Sequence, residues 1–192
     1  MPKILAFAGS GRKNSYNHSI VECAALGAIE AGIEVTLIHM HDFDMPLFNE
    51  DLEAEQGMPD KAFAFKQLLL EHDAFLIASP EYNSGYSAIL KNAIDWASRM
   101  ADGEKPLQAF TNKPVAIMSA SPGALGGIRG LVPLRMLLGN LGMLVLPKQQ
   151  AISAVHNLLD EQGKVNDEKT QIKLKALGAE LAKYLAYANQ IA

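Results

Sequence analysis

The sequence predicts a doubly wound α/β domain, a parallel sheet with helices packed on both faces. Three observations predict it. Short apolar runs alternate with segments whose apolar residues recur every three to four positions. One run in the middle of the chain, Ala74 to Ala78, is apolar on both faces, as a central parallel strand should be. The stretches richest in Gly, Ser and Asn lie just after runs one, three and four, at the strand ends where such sheets bind ligands.

Ile4 to Ala8 is the first strand, and the spacing Ile20/Ala24/Ala28 with Val21/Ala25/Ile29 marks the first helix. Gly32 stops that helix, and Glu34 to His39 reads as strand two. A loop holding His41, Asp42, Asp44, Pro46 and Asn49 leads to a helix over about Asp60 to His72. Strand three is followed by a helix marked by Ile89, Ala93 and Ala97. Pro114 to Ala120 forms strand four, and the next helix begins near Pro133, a residue tolerated in a first turn. Gly142 to Leu146 is strand five, and Leu174, Leu177, Leu181, Leu185 and Ala188 line one face of the last helix. Residues 1–192 read as one domain, without linker, repeat or low-complexity tract.

The first βα turn, Ala8 to Asn17, carries the most chemistry. A strand that empties through a loop into a helix aims unpaired backbone N–H groups, and the positive end of the helix dipole, into the turn. Ser10, Asn14, Ser15 and Asn17 add neutral donors there, and Arg12 and Lys13 add charge. Counting from Gly9, the third position is Gly11 but the sixth is Asn14, so the dinucleotide fingerprint fails. No Gly-Lys-Ser/Thr closes the loop either. Hydroxyls and amides around one arginine suit a terminal phosphate monoester, and the competing reading is an ordinary Gly/Ser/Asn-rich turn.

Composition narrows the field. With 49% hydrophobic and 20% charged residues the profile is that of a soluble protein. The net charge of −4, without a basic block, argues against nucleic-acid binding. No apolar stretch approaches the length of a membrane span, and Met-Pro-Lys leading into a strand is unlike a signal peptide. Cys23 is the single cysteine, which excludes an internal disulfide and a cysteine metal cluster and fits a reducing cytoplasm. His39, His41 and Asp42 lack a third strong ligand, so loop capping is preferred to a metal site and no metal is expected.

Two further segments follow strands three and four: Ser79-Pro80-Glu81-Tyr82-Asn83 with Leu90-Lys91-Asn92-Ala93-Ile94-Asp95-Trp96, and Ser119 to Arg129 with Gly126-Gly127-x-Arg129. With the Gly-Ser-x-Arg-x-x-Ser-x-Asn loop (Gly9 to Asn17) they make three motifs in register over nearly the whole chain. On these motifs the chain resembles the NAD(P)H-dependent FMN reductases of the flavodoxin-like fold, a family that includes soluble quinone and chromate reductases. The resemblance implies a five-stranded sheet in the order 2-1-3-4-5, FMN as cofactor and NADPH or NADH as co-substrate. It also implies a small-molecule electron acceptor (a quinone, azo or nitro compound, or metal oxyanion) and a homodimer or homotetramer with Trp96 and Tyr86 near the interface.

Carried over by residue, the resemblance assigns Ser10, Arg12, Ser15 and Asn17 to the FMN phosphate, with Tyr16 adding a backbone or ring contact. Pro80, Glu81, Tyr82 and Asn83 would edge the isoalloxazine, with Ser119 and Gly123 on its other side. Gly126, Gly127 and Arg129 would receive the nicotinamide nucleotide. Glu81 could tune the flavin or make an intersubunit ion pair. No side chain need act as nucleophile or general acid, because the cofactor carries the chemistry. One departure is visible: Ser87-Ala88 stands where family members often have Pro-Gly, which points to an altered pocket mouth. Two rival readings are a flavodoxin-type electron carrier, which would be more acidic and would not oxidise NAD(P)H, and a non-flavin binding module.

Overall fold

The computed structural model describes residues 2–191. The elements run β1 (Lys3–Ala8), α1 (Tyr16–Glu30), β2 (Glu34–His39), α2 (Glu50–Gln56), α3 (Asp60–Glu71), β3 (Ala74–Ala78), α4 (Ala88–Ala97), β4 (Pro114–Ala120), α5 (Ile128–Asn140), β5 (Leu144–Ile152) and α6 (Glu168–Ile191). The strands form one parallel sheet in the order β2-β1-β3-β4-β5. β1 pairs with β2 (Ile4 opposite Val35) and with β3 (Ile4 opposite Ala74), so the switch in strand order falls at β1 and β3.

Alternation along the central strands divides the core. Ile4, Ala6, Ala8, Ala74, Leu76, Ala78, Ala116 and Met118 face α1 and α6. Leu5, Phe7, Phe75, Ile77, Val115 and Ile117 face α3, α4 and α5. Small side chains dominate the first face, and the two helices there touch backbone to backbone. A Cβ on Gly27 would run into the Lys175 carbonyl, and one on Gly178 into that of Ala24.

Three elements differ from expectation. α5 begins at Ile128, five residues before Pro133, which lies inside the helix. Its start is set by Glu81, whose carboxylate accepts from the Arg129 and Gly130 N–H groups. β5 begins at Leu144 and runs to Ile152, past Pro147. The strand is at the sheet edge, and its register against β4 shifts between Val115 and Ile117, so the missing proline N–H is absorbed there. The helix α2 was not expected. Its signals were present: Asn49 accepts from the Asp51 and Leu52 N–H groups, and Glu50, Asp51 and Glu53 fill the first turn.

Candidate active site

The phosphate-type loop leaves β1 at Ala8 and enters α1 through Ser15, the N-cap, whose hydroxyl accepts from His18 N–H at 3.4 Å. Ser10, Ser15 and Asn17 are buried, whereas Arg12 is exposed with its guanidinium 5.5 Å from the Tyr16 ring centre. The N–H groups of Gly11, Lys13, Asn14, Ser15, Tyr16 and Asn17 find no acceptor among the described residues. The free donors of Ser15, Tyr16 and Asn17 at the positive end of a 15-residue helix, beside two buried hydroxyls and the exposed Arg12 guanidinium, make a cradle for a dianion.

Asn17 contributes differently from expectation. Its side-chain amide donates to the Ala120 carbonyl (3.0 Å) and accepts from the Ala120 N–H (2.9 Å). One amide N–H and the amide oxygen thereby tie α1 to the end of β4.

After β3, Tyr82 and Gly85 exchange backbone hydrogen bonds of 3.0 Å around Asn83 and Ser84, which hold φ values of 52° and 66°. This is a tight turn of the primed kind. It leaves the N–H groups of Glu81, Asn83 and Ser84 without an acceptor among the described residues. Glu81 points away from them. Its side chain is 8% exposed, and it pairs with Arg129 Nε at 2.9 Å while capping α5. Within the chain the carboxylate is an intrachain cap of α5.

After β4, the Ser119 hydroxyl donates to the Gly126 carbonyl at 2.8 Å and is wholly buried, so it shapes the glycine arm from beneath. Gly127 has φ 86°, and a Cβ there would lie 2.9 Å from Ser119, so only glycine fits. Gly123 anchors the arm from the other end, its carbonyl accepting from Gly126 and Ala154 N–H.

These segments enclose two adjoining clefts. One, of about 100 Å³, is lined by Ser10, Arg12, Ser15, Tyr16, Asn17, Pro80, Glu81 and Tyr82, together with Ala120, Ser121 and Pro122. The other, of about 380 Å³, is lined by Glu81, Asn83, Gly123, Gly127 and Arg129 with Ser121, Ala124 and Leu125. They share Glu81 and Ser121, so a trough runs from the α1 N-terminus to the glycine arm. Ala120, Ser121, Pro122, Ala124 and Leu125 also line the trough; they fall in the Ser119 to Arg129 segment, without an individual role read from the sequence. A larger cleft of about 410 Å³ lies across Ser15 and Tyr16 from the trough. It mixes Lys13 and His18 with Glu22, Asp160 and Glu161, so its opposed charges select no single kind of ligand.

Other singled-out residues have structural work. Trp96 is wholly buried, donates from Nε1 to the Pro46 carbonyl (2.8 Å) and meets Phe48 edge-on at 5.0 Å. It therefore anchors the β2–α3 connection and cannot reach an interface. Asn92 binds the same connection through the Pro46 carbonyl and Phe48 N–H. Lys91 and Asp95 form an i, i+4 pair at 2.7 Å on α4. His18 stacks on His39 at 3.8 Å, and burial first, then His39, hold its pKa below the ordinary histidine value. Among the described residues, no group of three or more His, Cys, Asp or Glu side chains could hold a metal.

A family model described as NADPH-dependent FMN reductase matches residues 2–157. An NAD(P)H-dependent FMN reductase of Pseudomonas aeruginosa is 38% identical over 170 residues, covering 88% of this chain and 87% of the relative. A quinone reductase of Escherichia coli K12 is 34% identical over 170 residues, with 88% and 87% covered. Among solved structures, the flavoenzyme NAD(P)H:(acceptor) oxidoreductase FerB of Paracoccus denitrificans superposes with a TM-score of 0.78 at 27% identity, covering 97% of this chain and 98% of FerB.

Proposed function

The chain belongs to the NADPH-dependent FMN reductase family, and from that premise we propose that the trough holds FMN with its phosphate in the Gly9–Asn17 loop. The protein is an NAD(P)H-dependent FMN oxidoreductase. The observation that carries the site assignment is the set of free N–H groups on Ser15, Tyr16 and Asn17 at the start of α1, residues that line a cleft reaching Pro80, Glu81 and Tyr82. Such a cradle fits a phosphate monoester at one end of a flat ligand.

When bound, FMN supplies the redox chemistry, accepting a hydride from NAD(P)H and passing electrons to the acceptor. The chain's residues bind and orient. Ser10 and Ser15 hydroxyls and the free N–H groups take phosphate oxygens, and Arg12 neutralises them. Tyr16 walls the phosphate end, and Asn17 holds α1 against β4 so that the donors keep their direction. Pro80 and Tyr82 would edge the ring, and the free N–H groups of Glu81 and Asn83 would be available to its polar rim. Ser119 and Gly123 set the height of the opposite wall.

Gly126 and Gly127 let the co-substrate approach, and Arg129 meets its phosphates. Glu81 occupies Arg129 Nε, which leaves the terminal nitrogens of the guanidinium for the nucleotide. A quinone is the acceptor class we favour, supported by the activity named for the E. coli relative. We further infer a cytoplasmic homo-oligomer. Ile128, Val132 and Met136 form an exposed apolar stripe at i, i+4, i+8 on α5, which takes over the interface role expected of Trp96. Among the described residues, no helix is long and apolar enough to cross a membrane.

The test is an absorbance spectrum after incubation with FMN and desalting, followed by anaerobic NADPH. A bound flavin that bleaches promptly is expected. A flavin that stays oxidised would leave a carrier, and a protein that takes up no FMN on titration would end the assignment.

A further inference from the structure

Ser87 is wholly out of reach of the trough, at 1% exposure, yet it joins two of the segments that build it to the start of α4. It is the N-cap of α4, its hydroxyl accepting from Leu90 N–H at 3.2 Å. The same hydroxyl donates to the Gly9 carbonyl, the first residue of the phosphate loop. Its own N–H donates to Ser79 Oγ at 3.4 Å, and Ser79 in turn donates to the Pro80 carbonyl at 3.1 Å. Gly9 is held from the other side as well, its N–H donating to Ala78 at 2.8 Å. It has no room to drift toward α4, since a Cβ on Gly9 would lie 2.7 Å from Leu90 Cβ.

We propose that Ser87 is a positioning residue for the FMN phosphate, its hydroxyl locking the start of the phosphate loop to the end of β3 and the first turn of α4. The proposal rests on the reading of Gly9–Asn17 as the phosphate site. A loop that must aim several N–H groups at one dianion gains affinity when its geometry is set before the ligand arrives. Ser87 sets it at the one point where loop, strand and helix meet. The departure from proline at position 87 thereby acts behind the phosphate loop. A proline at 87 could neither donate to Gly9 nor offer an N–H to Ser79.

FMN and riboflavin affinities, measured side by side on the full chain by flavin fluorescence quenching, test this. Ser87→Gly removes the hydroxyl while glycine remains an acceptable N-cap. It is expected to weaken FMN about tenfold, the usual scale for a lost buried hydrogen bond, and to leave riboflavin unchanged because riboflavin has no phosphate. Ser87→Thr, which keeps donor and cap, is expected to hold the wild-type ratio of the two affinities. Ser79→Ala frees the Ser87 N–H and the Pro80 carbonyl but keeps the Ser87 hydroxyl on Gly9, and a smaller shift in the same direction is expected from it, a second readout should Ser87→Gly fail to fold. Equal loss of both flavins, or an unchanged FMN affinity, overturns the proposal. Wild-type protein that binds the two flavins equally would instead remove the phosphate reading beneath it.

Discussion

Asn17 and Ala120, 103 residues apart, exchange two hydrogen bonds through one side-chain amide, at 3.0 and 2.9 Å. The contact joins the first turn of α1 to the last residue of β4 and thereby two walls of the trough. Asn17→Ala would leave the Ala120 N–H and carbonyl buried and unpaired. A loss of about 2–4 kcal/mol is expected, read as a fall in Tm of about 5–10 °C for a chain of this size. A melt within a degree of wild type would show that the clamp carries no stability.

In the proposed phosphate site Arg12 would contribute charge, and Ser15 a hydroxyl that also caps α1. Arg12→Ala should weaken FMN about 10- to 100-fold, the range for a lost charge-assisted hydrogen bond, while riboflavin affinity holds. Titration of both flavins reads this directly. Undiminished FMN affinity in Arg12→Ala would place the phosphate elsewhere.

Glu81 and Arg129 should separate kinetically. Arg129→Ala is expected to raise the KM for NADPH severalfold with kcat largely kept if, as proposed, the guanidinium meets the co-substrate and not the reacting atoms. Glu81→Ala removes three acceptor contacts from the α5 start, including the two N–H caps at 3.0 and 3.2 Å. It should cost about 1–3 kcal/mol of stability in addition to any kinetic effect. Steady-state kinetics and urea unfolding on the same two variants decide this, and unchanged NADPH kinetics in Arg129→Ala would sink the nucleotide role.

His18 ties stability to pH. Burial and the neighbouring His39 hold its pKa below the ordinary value of 6.5, so the folded state prefers the neutral ring. The unfolded chain then binds more protons between the two values, and stability falls as pH drops through 6.5 toward the folded-state value. Above 6.5 the contribution is complete. His18→Gln should flatten that part of the stability profile, and a slope between pH 5 and 7 identical to wild type would assign it to another group.

Oligomerisation should follow α5, not Trp96. Trp96→Phe loses the bond to Pro46 and about 1 kcal/mol, with no change in assembly. Val132→Glu and Met136→Glu place charge on the exposed α5 stripe and should shift the molecular mass toward the monomer in light scattering. An unmoved mass would exclude the stripe as the interface.

Much of the site was legible in the sequence, because strand ends in an alternating α/β chain announce where ligands bind. Ser10, Arg12, Ser15, Pro80, Tyr82 and Gly127 could be named from three short motifs, and all line the trough. The individual duties of Asn17, Glu81, Ser119 and Trp96 could not. Each is a polar or amphipathic side chain with several possible partners, and the partner it has lies 7 to 103 residues away.

The sequence by itself determined the period of each element and the dihedral demands of its turns, since hydrophobic spacing and residues such as Gly and Asn act locally. That is sufficient for the class of fold and for the loops that can bind. Only the tertiary structure decided which loops become neighbours. The order β2-β1-β3-β4-β5 sets the ends of β1, β3 and β4 side by side. Hydrogen-bonding groups brought there must be satisfied once water is excluded, and Asn17, Glu81 and Ser87 are consumed in that task.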